Sequence, residues 1–75
     1  MEDERPTYTE CLDMILDDPK SDGLFAYAKA YAEAGQGMMG ESRRVQCLYI
    51  LNNLAHWRHP NAKRVREALR HYSKE

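Results

Sequence analysis

The side chains with most chemistry to offer crowd into residues 53 to 72, NLAHWRHPNAKRVREALRHY. Here Trp57 and three histidines, His56, His59 and His71, accompany Pro60 and five of the chain's eleven Lys and Arg residues. The segment could ligate a metal with Cys47, bind phosphate through its basic row, or simply form a corner between two core helices. Zinc ligands come in close pairs such as C-x2-4-C with H-x3-5-H. His56-x2-His59 stands at a proline bend, and His71 lies about three helical turns farther on, roughly 15 Å away at 1.5 Å per residue. The three imidazoles therefore do not converge, and no metal is expected. The order helix, short turn, basic helix is that of a helix-turn-helix protein, with Arg58, Lys63, Arg64, Arg66 and Arg70 as candidate phosphate contacts. Against it, Arg58-His59-Pro60 lacks the glycine such turns usually carry.

Catalytic patterns are missing. The chain has no G-x-S-x-G, and GQGMMGES lacks the lysine that a phosphate-cradling loop places after its last glycine. Asp13, Asp17 and Asp18 read as a solvated helix edge. The expectation is a non-enzymatic protein with no cofactor.

The bulk numbers narrow the rest. Seventy-five residues make one domain, with residues 7–73 as its body and 1–6 as a flexible acidic tail. A chain this short buries about 60% of the surface its unfolded form exposes, which leaves little room for a deep pocket. Cys11 and Cys47 form no CxxC pair and read as small core residues. The start MEDERPTYTE is the opposite of a signal peptide, and the longest apolar run, CLYIL, is far short of a membrane span. A cytoplasmic protein without membrane contact is expected. Charge is near balance overall but divided: ten acids against three bases through Glu41 give −7, and eight bases against two acids from Ser42 give +6. In so small a domain the acidic half lies near a Debye length of the basic one and partly cancels the field offered to nucleic acid.

Four helical segments must position these residues. Thr7-Tyr8-Thr9-Glu10 fits a capping box, and Tyr8, Cys11, Leu12, Ile15 and Leu16 follow at helical spacing until Pro19 ends the run. Ser21-Asp22 starts a second helix with Leu24, Phe25, Tyr27, Ala28, Tyr31 and Ala32 as its apolar side and Gly35 as C-cap. After the GQGMMG loop, a third helix is expected from about 42 to 57, apolar nearly all round except for Gln46, Asn53 and His56, and hence central. One of Asn52 and Asn53 is expected to point inward and bond a neighbouring helix. A last helix begins near Asn61, with Val65, Ala68, Leu69 and Tyr72 inward. With no period-two stretch, the fold class is all-α: a compact bundle of three to four short helices around the helix at 42–57.

Five tyrosines, one tryptophan, one phenylalanine and four methionines exceed what a thin bundle can hide. Tyr27, Tyr31, Met38 and Met39 cluster at the second helix and the glycine loop, and aromatic and methionine side chains anchor protein interfaces. A protein partner or homodimer is therefore the leading expectation, nucleic acid the alternative. Finally, CLYILNNLAHWR followed by NAKRVREAL resembles small helical proteins of phages and prophages, in which an apolar helix precedes a basic amphipathic one. The resemblance covers residues 41 to 72 and implies an accessory, non-enzymatic role inside a bacterial or archaeal cell.

Overall fold

The computed structural model describes residues 5–74. Among these described residues are four helices: α1 (Tyr8–Asp17), α2 (Gly23–Ala34), α3 (Gly40–Asn52) and α4 (Ala62–Tyr72). Their backbones close a ring in which α1 touches α2 and α4, and α3 touches α2 and α4. The all-helical bundle expected from periodicity is what forms, flattened to 32 × 29 × 18 Å.

The capping box opens α1 as its sequence requires. Thr7 Oγ1 accepts from the Glu10 backbone N–H at 3.1 Å, and Glu10 Oε1 accepts from the Thr7 N–H at 2.9 Å. The helix stops at Asp17 because Asp18, ahead of Pro19, is extended. Of the expected acidic tail, residues 1–4 lie outside the described residues. Pro6 is not loose: it is buried, and its carbonyl accepts from the Tyr72 hydroxyl at 2.8 Å.

Gly35 closes α2 without the left-handed conformation usual for a glycine cap, since its φ is −80°. Its reason is space. The Tyr8 hydroxyl donates to the Gly35 carbonyl at 2.8 Å, and a Cβ there would meet that hydroxyl at 2.6 Å and Gln46 Cγ at 2.9 Å. In the loop that follows, Gly37 and Gly40 do take positive φ, 83° and 63°, which only glycine adopts readily.

The third helix departs from expectation in length and surroundings. It ends at Asn52, five residues before Trp57, because Asn53 Nδ2 donates to the Tyr49 carbonyl at 2.9 Å. That carbonyl is the acceptor the Asn53 N–H would use in a continuing helix, and the N–H turns instead to Ile50 at 3.0 Å. Asn53 thus bonds its own helix rather than a neighbour, and Asn52 is exposed. The inward amide is Gln46, which sequence periodicity had placed on a polar stripe. It is 7% exposed, and its Nε2 donates to the Tyr31 carbonyl at 2.7 Å, pinning α3 to α2. With only two helical neighbours, α3 also keeps one side in solvent, where Val45, Leu48 and Tyr49 stand.

The core runs through every element: Cys11, Leu12 and Ile15 from α1, Phe25, Ala28 and Ala32 from α2, Cys47 and Ile50 from α3, and Val65, Ala68 and Leu69 from α4, with Leu54 and Trp57 from the corner. Both cysteines are buried and unoxidised, and burial, then the neighbouring Cys47, pushes the Cys11 thiol up to about 12.

Candidate interaction surface

Two features of the sequence compete for function, the aromatic and methionine surplus and the basic row. The structure places them on different sides of the ring.

The surplus collects on the hairpin of α2 and α3. Tyr31 and Tyr49 stack across it with ring centroids 5.5 Å apart. The large exposed apolar side chains of the hairpin are Tyr27 (60%) and Leu24 (51%) from α2, Leu48 (51%), Tyr49 (48%) and Val45 (38%) from α3, and Met39 (77%) from the loop. Ala26, Ala30 and Ala34 add exposed small residues on α2. Of the four residues singled out by sequence, Tyr27 and Met39 are largely exposed, whereas Tyr31 and Met38 are half-buried. Met38 lines one hollow with Glu41, Val45 and Gln46, and a second with Tyr8, Met39 and Arg43.

Leu24, Val45, Leu48 and Tyr49 are part of this face and were not among those four, because each falls at helical spacing with true core residues. The available signal was the third helix itself. A helix apolar on all sides, in a domain with too few helices to surround it, must leave part of that surface outside.

The basic row is split. Arg66 turns inward, its Nη1 donating to the carbonyls of Leu54 at 3.3 Å and Trp57 at 3.4 Å, so it ties α4 to the corner that follows α3. Arg64 donates to Asn61 Oδ1 at 3.2 Å and lines a shallow hollow with Arg5, Glu10 and Asp13 of the acidic half. Arg58, Lys63 and Arg70 are exposed, and Glu67 stands on the same side of α4 as Lys63 and Arg70. Of the expected row, Arg66 turns inward, Arg64 stays exposed while bonding Asn61, and Lys63 and Arg70 are exposed beside Glu67.

The corner that held the histidines is a packing unit. Trp57 stacks on Phe25 at 5.6 Å and His59 at 5.0 Å, and its indole N–H donates to Asp18 Oδ2 at 2.7 Å. His59 Nδ1 accepts from the Asn61 N–H at 3.0 Å, while His71 meets the Tyr72 ring edge-on. Asp18 is no solvated edge residue. The Lys20 backbone N–H at 2.9 Å, then the Trp57 indole, hold its carboxyl below the usual carboxylate range, and Lys29 Nζ donates to its carbonyl at 2.6 Å. Among the described residues no three His, Cys, Asp or Glu side chains gather as a metal would need. The hollow beside this corner, lined by Lys20, Asp22, Leu24, Phe25, Asn53, His56 and Trp57, holds about 150 Å³, below the ~300 Å³ of an ordinary ligand cleft.

Among the described residues no helix is long and apolar enough to cross a membrane. The chain has no significant match among protein-family models, curated proteins or solved structures.

Proposed function

We propose that this protein is a binding module that engages another protein through the α2–α3 face. The observation that carries the reading is the gathering of Tyr27, Leu24, Val45, Leu48 and Tyr49 in solvent on one hairpin. Large apolar side chains scattered singly are ordinary on a soluble protein, but five on two neighbouring helices, two of them tyrosines, have the composition of an interface core. A catalytic step is not part of the proposal. An accessory role in the cytoplasm of a bacterial or archaeal cell, of the phage or prophage kind, belongs to the same proposal and rests on the resemblance at residues 41–72.

Nucleic-acid binding ranks second, favoured by the exposure of Arg58, Lys63 and Arg70. It is weakened by Arg64 and Arg66, whose guanidinium groups already have partners within the chain. Site-specific photo-crosslinking separates the two. A photoreactive residue at position 48 is expected to yield protein adducts in cell extract, whereas one at position 70 yields few adducts of any kind. Nucleic-acid adducts from position 70, with none to protein from position 48, would reverse the ranking.

A further inference from the structure

The α2–α3 face carries one more signal, its charge. Of the chain's 23 charged residues only five lie between Gly23 and Ala55. Two of the five are drawn away from the face: Lys29 donates to the Asp18 carbonyl and Arg43 lies over the rings of Tyr8 and Tyr72, while Arg44, half-buried, lies towards the loop end of α3. Glu33 and Glu41 remain exposed, both at the end where the hairpin loop joins the helices. At the opposite end Lys20 and Asp22 flank Leu24, with His56 beside them. Between the two ends the exposed residues of α2 and α3 are uncharged: Leu24, Ala26, Tyr27, Ala30, Ala34, Val45, Leu48, Tyr49 and Asn52.

From this we infer that the occupant of the face is a second copy of the chain, in a two-fold dimer. The inference rests on the α2–α3 face being the binding surface, and it names the partner. A face without charge between its ends meets its own copy with no unpaired charge on either side, whereas a partner recognised by charge would find nothing there to pair with. The ends fix the direction. A two-fold axis lying in the interface and crossing the helices at right angles sets the Glu33–Glu41 end of one copy against the Lys20–Asp22 end of the other, which carries no net charge from that pair, and keeps the four glutamates apart in pairs. An axis along the helices would bring all four together. A two-fold contact uses the same patch on both copies, so it closes without leaving a sticky surface for a third. A standard interface would take about 800 Å² from each copy, roughly a sixth of this chain's 4788 Å².

The test is native mass by light scattering and sedimentation over a concentration series, for the full chain and for Tyr27→Glu, Leu48→Glu and Lys63→Glu. The expected mass is twice the 8.8 kDa of the chain. Tyr27→Glu and Leu48→Glu are each expected to raise the dimer dissociation constant at least about thirtyfold, as loss of a central interface contact does. Their helical circular dichroism should stay unchanged, because both positions are exposed, and Lys63→Glu should dimerise as the parent does. A single-chain mass at all concentrations overturns the inference, as does a dimer that both glutamate variants leave intact. If the chain is monomeric but position 48 still crosslinks to a different protein, the dimer fails and the binding surface stands. If position 48 captures nothing, both fail.

Discussion

At the scale of single residues, three groups make contributions large enough to measure. Gly35 is needed for the room it leaves, so Gly35→Ala is expected to cost about 1–3 kcal/mol in urea unfolding, the usual range for overpacking. Because the first atom in the way is the Tyr8 hydroxyl, the penalty should shrink in a Tyr8→Phe background, and a double-mutant cycle reads that coupling directly. Additive penalties would contradict the close approach. Asp18 has its pKa lowered by folding, so its contribution is present at and above the ordinary carboxylate range and is lost as pH falls through it. Asp18→Asn should therefore lower stability at neutral pH and flatten the acid limb of the stability curve, with Trp57 fluorescence as the reporter. The opposite sign applies to Cys11, whose raised pKa means that folding opposes loss of its proton. Its contribution is intact below about pH 9 and lost as pH climbs towards about 12. Consistent with that burial, neither thiol of the native protein is expected to react with a thiol reagent at pH 8 until denaturant is added.

At the scale of elements, the legible and illegible parts of the sequence divide by range. The capping box at Thr7, the stop before Pro19 and the glycines of the loop are local devices, and each acts within a few residues of where it is read. Thr7→Ala is accordingly expected to lower stability by about 1 kcal/mol, and no measurable change would mean that the cap is redundant. The end of α3 was less legible. Leu54, Ala55 and Trp57 continue its apolar spacing, so periodicity extends the helix to 57. What ends it is one side-chain bond, Asn53 to the Tyr49 carbonyl, together with a turn that still buries Leu54 and Trp57. Gln46 was misread for a similar reason. Whether an amide on a helix points to water or to a neighbour's carbonyl depends on where the neighbour lies, and Tyr31 is fifteen residues away.

At the scale of the whole molecule, the ring of four helices explains why the candidate surface was only half visible in the sequence. Each helix has two neighbours, so an apolar circumference such as that of α3 cannot all be covered. Sequence located the surplus at Tyr27, Tyr31, Met38 and Met39, whereas the ring moved its centre to Tyr27, Leu48 and Tyr49. The same ring sets α4 beside α1, which brings Arg64 to the hollow lined by Glu10 and Asp13, so that residues of the basic and acidic halves share one hollow. Neutralising Lys63 and Arg70 to Gln is thus expected to leave stability and association unchanged. It should alter binding to duplex DNA or RNA little at physiological salt, as read by fluorescence anisotropy. A large, salt-dependent loss of affinity on that change would instead make α4 the working surface. The most direct measurement of the central claim is side-chain footprinting, with the protein labelled in the cells that make it and again after purification and dilution. Tyr27, Leu48 and Tyr49 are expected to be protected in the cell and to become reactive on dilution, while Arg70 and its surroundings do not change. Equal reactivity of the three in both states, or protection confined to α4, would contradict it.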